Sequence, residues 1–460
     1  MFSELGERVS NWLRCNPATG LFGRVLDTWG RTPLRRLFPA QASIASVFKV
    51  IGGNFATSAI SFFTSILIAR WTSPYDLGVW NAALLVTVYA PILQVGVFNG
   101  LNRELPYFIG SGDKAKAQTM AESAFAWCLI LAAASVVLTA GAAAWFGHHG
   151  QRRLCYTAMA VGANVICYWV TLYLTTTYRT NAEFGRLAQN TVAVAMIGVG
   201  LVLLVWFFRY EGILLRASLL SILGVGALYY RRPMPVRPRW NKPAIVHLVR
   251  IGLPIWLAGQ AAAIFIALDR MILVRSPEML GYFTIAIQTA AFARTIPAAF
   301  TIVLYPQMAH RYGETHNAMA IWQIAKKGAI GACLFGLLAG CCGWFLAPHV
   351  VKILVPKYLP GAVSAQWASF MGLAMGLYVF DNVYVVIGKL ELFILNYCIG
   401  AAIFFVAWFL LTRGFGAPQL IATAQSMLLA TLVMAVTSLF VSHRACSKHD
   451  RRLAELCLDN

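Results

Sequence analysis

The chain has 460 residues, of which 59% are hydrophobic and 12% charged, about half the usual charged share of a soluble domain. That much apolar surface exceeds what a soluble interior can hide. At roughly 20 residues per crossing, a dozen membrane spans take up the length and leave no room for a large soluble catalytic domain. The net charge of +20, from 37 Lys and Arg against 17 Asp and Glu, must be read against loop sidedness before nucleic acid is considered.

Residues 1–45 form a basic tail. Arg14, Arg24, Arg31, Arg35 and Arg36 alternate with Trp12, Leu13, Phe22, Leu26, Trp29, Leu34 and Phe38. Such a mixture suits a segment lying on an anionic inner leaflet. A loosely ordered tail that only sets topology is the alternative, since Pro17, Pro33 and Pro39 interrupt any long helix. The tail lacks the uninterrupted apolar core of a secretory signal.

Apolar runs of spanning length follow at 46–70, 78–101, 119–146, 154–175, 187–208, 211–230, 251–275, 279–306, 324–347, 361–388, 390–412 and 417–442. The expected fold is an all-α polytopic membrane protein of about 12 spans. An even count puts both termini on one side. With the termini cytoplasmic, 26 of the 37 basic residues fall on the inner side and nine on the outer. This bias predicts cytoplasmic termini and explains the positive charge with no nucleic acid.

A repeat divides the runs. Ser73-Pro74-Tyr75-Asp76-Leu77-Gly78-Val79-Trp80 follows span 1, and Ser276-Pro277-Glu278-Met279-Leu280-Gly281-Tyr282-Phe283 follows span 7. Both read S-P-x-x-L-G-apolar-aromatic at an offset of 203, and Gly110 falls on Gly313 at the same offset. Two parallel six-helix repeats follow, 46–230 and 251–442, about a central cavity. A Pro- and Arg-rich cytoplasmic linker at 231–250 joins them, and residues 443–460 form a second cytoplasmic tail. Two such lobes suggest alternating access with a site at their interface.

The ten cysteines include no CxxC pair, and the eight histidines show no ligand spacing. The cysteines therefore read as small hydrophobes of helices, and neither a metal nor another bound cofactor is expected.

Four stretches jointly resemble a known family. They are Leu67-Ile68-Ala69-Arg70-Trp71-Thr72-Ser73-Pro74-Tyr75-Asp76-Leu77-Gly78, the segment from Gly96 to Arg103, Asp269-Arg270-Met271-Ile272-Leu273 through Gly281-Tyr282, and Gly388-Lys389 with Asn396 beyond it. Over about 46–442 the chain resembles the polysaccharide repeat-unit flippases (Wzx-type) of the multidrug/oligosaccharidyl-lipid/polysaccharide exporter superfamily. The resemblance implies flipping of a polyprenyl-diphosphate-linked oligosaccharide from the cytoplasmic to the periplasmic leaflet of a bacterial inner membrane. Surface, lipopolysaccharide or exopolysaccharide assembly would follow, beside a polysaccharide polymerase or chain-length complex. It also implies coupling to an H+ or Na+ gradient in some relatives.

A diphosphate inside a membrane needs a cationic partner, and arginine suits it best. Arg294, near the middle of span 8, is the first candidate, against structural pairing. Arg270, beside Asp269, reads more readily as a helix-to-helix ion pair. Arg103, at the inner end of span 2, stands between a diphosphate contact and a snorkelling anchor. Asp269, Glu122 and Asp381 are candidates for ion coupling, since a buried carboxylate can exchange protons, or else for neutralising a nearby cation. Asn54, Ser58, Ser61 and Ser65 share one helical face, which lines a wet cavity or packs between helices; Asn54 is the better candidate for glycan. A drug or small-molecule antiporter of the same superfamily is the competing transporter reading and calls for carboxylates at the site. A membrane polymerase or glycosyltransferase needs paired catalytic groups, and none occurs in the longest outer connection, about 347–360, so the chain reads as a non-enzyme.

Overall fold

The structure, a computed structural model, describes residues 44–181, 183–315 and 317–458. The interfacial tail expected at 1–45 lies, up to residue 43, outside them. Every regular element among the described residues is helical.

Residues of the first half form α1 (Ile44–Trp71), α2 (Pro74–Tyr89), α3 (Val97–Gly110), α4 (Lys114–His148), α5 (Arg152–Thr180), α6 (Phe184–Gly200) and α7 (Val202–Tyr230). Those of the second half form α8 (Lys242–Leu273), α9 (Pro277–Thr315), α10 (Ala318–Leu354), the short α11 (Ala362–Ser369), α12 (Met371–Leu377) and α13 (Asp381–Val386), then α14 (Leu390–Phe409) and α15 (Gln419–Leu458). Among the described residues, nine helical stretches are long and apolar enough to cross a membrane. α9 has the length but carries Gln288, Thr289, Arg294 and Thr295 through its middle. The fifth and sixth runs part where the sequence places the break, at Arg209, whose backbone turns non-helical within α7 (φ 52°, ψ −116°).

The starts of the helices follow from local chemistry. Ser73 accepts from the Asp76 N–H at 3.1 Å and Pro74 sits in the first turn of α2, so an orphan donor is satisfied and φ is preset. Asp113 caps α4 through the Lys116 N–H at 3.0 Å, Asn241 caps α8 through Ala244 at 3.1 Å and Asn317 caps α10 through Ala320 at 2.9 Å. The second cap of α10 comes from far away. The Asp450 carboxylate on α15 accepts from the Ala318 and Met319 N–H groups at 2.7 and 2.9 Å.

Span 2 is broken, which the apolar run does not reveal. Pro91 lacks the N–H that would continue α2. The chain passes through a 3-10 turn over Ala90–Gln94, then through Val95 and Gly96 with positive φ (49° and 82°). Trp256 of α8 donates its indole N–H to the Pro91 carbonyl at 2.9 Å, across the two halves. Redirected by the break, α3 runs against α8. There Gly96 and Gly252 bring the backbones so close that a Cβ on either would fall on the other chain. Lipid offers apolar helices no transfer gain for associating, so small residues and interhelical hydrogen bonds hold them instead.

The two repeated turns meet each other. A Cβ on Gly78 would fall on the Pro277 carbonyl, and one on Gly281 on the Pro74 carbonyl. Just under one turn of helix further in, Asn81 of α2 donates to Thr284 Oγ1 of α9 at 2.8 Å. Positions 81 and 284 differ by 203, the offset of the sequence repeat. Equivalent positions in contact are what a pseudo-twofold axis requires. The turns therefore seal the end of the bundle remote from the C-terminus. The connector after α7 is extended, as its prolines dictate, but laid against α4: the Arg239 N–H donates to the Glu122 carbonyl at 3.3 Å and Trp240 lies 6.1 Å from Trp127.

Candidate functional site

Two adjoining cavities lie beneath the sealed turns. The larger, about 420 Å³, is apolar and lies between α1, α9 and α10, with Phe55, Phe62, Phe63, Phe292, Phe335 and Leu346 on its walls. The smaller, about 340 Å³, has mixed walls and lies among α1, α2, α7 and α9; Ser61, Thr64, Asn81 and Arg216 form its polar side, and Ile68, Leu77 and Leu220 part of its apolar one. Ser65, Thr284 and Gln288 line both. The helical phase of α1 produces this division. Ser61 and Ser65, one turn apart, face the polar side, while Phe62 stacks on Phe292 with ring centroids 5.1 Å apart. The hydroxyls of Ser65 and Thr284 are satisfied within their own helices: Ser65 Oγ donates to the Phe62 carbonyl at 2.8 Å and Thr284 Oγ1 to the Leu280 carbonyl at 3.2 Å.

Arg216 is the one charged residue among the described walls of both cavities. It stands on α7, seven residues beyond the turn at Arg209. Its Nε donates to the Gly198 carbonyl of α6 at 3.2 Å, and the small Gly198 leaves room for the guanidinium to lie over that helix. No carboxylate pairs with it among the described residues. A half-buried guanidinium that lines a cavity without an acid has its charge available to an anion. Arg216 is one of the nine basic residues that the sequence assigns to the outer side. Its depth, five residues inside the run 211–230, was the available signal.

The sequence candidates are placed differently. Arg294 and Arg270 line neither cavity. Asp269, Arg270 and Arg294 form a charged cluster in the second bundle. Asp269 Oδ1 accepts from the Arg270 N–H at 2.7 Å and lies 3.6 Å from Arg270 Nε. Arg294 donates from Nε to the Ala290 carbonyl of its own helix at 3.0 Å, with Asp269 and Tyr378 as its electrostatic neighbours. Arg294 thus lies within electrostatic reach of an acid inside the bundle, away from both cavities. Arg103 is exposed on α3 and lines neither cavity. The side chain of Asn54 lies outside those described.

The three acids separate clearly. Asp269 belongs to the cluster. Glu122 is half-buried near the start of α4, where Gln118 donates to it at 2.8 Å. Asp381, 5% exposed, accepts from Ser438 Oγ and from Tyr397 Oη, the latter at 3.4 Å. Among the described residues no cation pairs with it, and no group of three His, Cys, Asp or Glu is arranged to hold a metal.

The sequence model of the family described as "Polysaccharide biosynthesis protein" matches residues 67–327. No curated protein matches the chain. Among solved structures, the chain is similar to the inward-facing conformation of a multidrug resistance MATE family transporter of the MOP superfamily. The TM-score is 0.67 at 13% identity, over 84% of this chain and 95% of that one. An outward-facing conformation of such a transporter gives 0.65 at 13% identity, over 88% and 96%. A MOP superfamily transporter from Pyrococcus furiosus, whose reversed pocket polarity is said to suggest a different function, gives 0.66 at 13% identity, over 88% and 96%. At such identities the likeness is one of fold: two repeated helical bundles, as the offset of 203 implies.

Proposed function

We propose, from the premise that this chain belongs to the polysaccharide biosynthesis protein family, that it is a flippase for a polyprenyl-diphosphate-linked oligosaccharide repeat unit. The observation that carries this is Arg216, a lone cation on the polar wall beside an apolar cleft. The substrate has matching parts. Its diphosphate is anionic, its glycan needs polar walls, and its prenyl chain needs an apolar path. Arg216 takes the diphosphate, Ser61, Thr64, Asn81 and Gln288 offer polar surface to the first sugars, and the phenylalanine-lined cleft takes the proximal prenyl units. No bond is made or broken.

With the termini cytoplasmic, the sealed turns lie on the periplasmic side. Substrate enters from the inner leaflet, the Gly78–Gly281 contact parts, and the headgroup leaves outward. Asp381 is the proposed proton-binding group of the cycle, because its oxygens meet hydroxyls rather than a cation. The antiporter reading calls for a carboxylate where a cationic drug would sit. The cavity walls carry a guanidinium there instead.

A charge-assisted contact to phosphate is worth roughly 1.5–3 kcal/mol. In proteoliposomes, a short-chain prenyl diphosphate disaccharide with a fluorescent label should be flipped by the wild type and at least about tenfold more slowly by Arg216→Ala. Arg216→Lys should retain part of the rate, since it keeps the charge but not the bidentate fork. Equal flipping by Arg216→Ala would remove the arginine from the mechanism. No flipping by the wild type, with export of cationic dyes instead, would overturn the reading.

A further inference from the structure

We propose that the sealed end carries a second anion site, formed by Arg209 and Lys357 across the two bundles, that takes a phosphate or diphosphate group. Its part in export rests on the flippase reading; its existence does not.

The last two carbonyls of the α1 exit bring the pair together. Arg209 NH1 donates to the Trp71 carbonyl at 3.1 Å. Tyr358 Oη donates to the next carbonyl, that of Thr72, at 3.2 Å. Lys357 precedes Tyr358, with its ammonium 5.9 Å from that ring centroid, and lies within electrostatic reach of both Arg209 and Asp76. Two exposed cations from different bundles thus converge where α1 turns into α2.

The acid available there is already engaged. Asp76, with a side chain 13% exposed, is ion-paired to Arg153. Arg153 is fixed in turn over the rings of Tyr210 and Tyr75, 4.4 and 5.6 Å away. Glu278 accepts from Tyr282 Oη at 3.0 Å, and Glu211 forms no ion pair among the described residues. The Asp76 carboxylate is thus taken by Arg153. Arg209 and Lys357 have no acid of their own among the described residues.

The backbone points the same way. Arg209 has φ 52° and ψ −116°, a conformation that glycine adopts easily and an arginine only under strain. Strain held at a residue whose guanidinium is then fixed beside a second cation indicates that the side chain, not the turn, is the reason for the residue. Arg209 also lies two helical turns, about 10 Å, from Arg216 along α7. A diphosphate leaving the lumen arginine meets this pair next. Bound between Arg209 and Lys357, it offsets the repulsion of the two like charges. Without an anion the two like charges favour parting.

The test is calorimetric titration of inorganic diphosphate into the full-length protein in phosphatidylcholine nanodiscs. The wild type should bind at two sites, and Arg209→Gln/Lys357→Gln should keep the Arg216 event while weakening the second at least tenfold. Arg216→Ala should leave a binding event that the double variant lacks. Arg209→Gly removes the cation while relaxing the backbone, so weakened binding with unchanged or raised thermal stability excludes misfolding as the cause. Repeating the titration with phosphatidylglycerol in the disc separates the sources. Unchanged binding assigns the site to the diphosphate, and competition assigns it to a lipid headgroup, with the site standing either way. Equal binding by the wild type and the double variant, or complete loss through Arg216→Ala alone, would overturn the proposal. Flipping is not the readout, so a failed flippase assay leaves this result independent.

Discussion

Gly281 is the position where one methyl group should change the state of the molecule without unfolding it. A Cβ there meets the Pro74 carbonyl, as one on Gly78 meets Pro277. An ordinary C···O contact is about 3.3–3.6 Å, so Gly281→Ala forces the two turns apart by about 2 Å. Neither turn can yield by a side-chain rotation, because both obstructing groups are backbone. Overpacking of this kind costs about 1–3 kcal/mol. The cost falls on the sealed arrangement alone, since the turns do not touch once they separate. The ratio of sealed to open should then fall about 5- to 150-fold. Ser65 lines both cavities beneath the seal and serves as the reporter. In a cysteine-free background, Ser65→Cys should react with an impermeant maleimide from the outer face far faster when Gly281→Ala or Gly78→Ala is added. Gly313→Ala, where a Cβ meets nothing within 4 Å, should leave the rate unchanged. If Gly281→Ala reaches the normal membrane level and Ser65→Cys labels at the wild-type rate, the turns are not the seal and the argument from close approach fails.

Other consequences concern the cross-bundle bond and the engaged charges. Asn81→Leu and Thr284→Val should each lower thermal stability, and a double-mutant cycle should return a coupling of about 1 kcal/mol; additive effects would mean the bond contributes nothing. Arg294→Ala leaves the Asp269 carboxylate with Arg270 as its one near cation inside the bundle, so it should cost about 1–3 kcal/mol and lower the membrane level. Adding Asp269→Asn should restore part of that level, in contrast to Arg216→Ala, which should be inserted normally and fail in transport. Full abundance of Arg294→Ala would show that its charge is not structural. Asp381→Asn, which keeps the shape beside Ser438 and Tyr397 but not the titratable proton, should remove the response of flipping to an imposed pH gradient. A gradient response equal to the wild type would take Asp381 out of coupling.

The charged residues illustrate why site reading from sequence went only part of the way. Arg294, Arg270 and Arg216 all sit in apolar runs. Sequence position sets how deep each lies, but not which neighbour reaches it first. Asp269, one residue from Arg270 and 25 from Arg294 in sequence, pairs with the first and lies within electrostatic reach of the second. Arg216 has Gly198 of α6 beside it instead, and so keeps its charge for the cavity. Asn81 and Thr284 are a different case. Their pairing was contained in the offset of 203, yet only the contact at the axis shows which of the many equivalent pairs touch.

Hydropathy and repetition determined most of the architecture. Twelve apolar runs, S-P-x-x-L-G turns in both halves and a break at Arg209 are local properties, set by side-chain transfer energies and backbone rules that act over a few residues. The tertiary structure decided which turns press together, that Pro91 breaks span 2 and sends α3 against α8, and which guanidinium is left without an acid. Those outcomes depend on helix rotation and on distances between segments about 200 residues apart. A linear pattern carries no record of either.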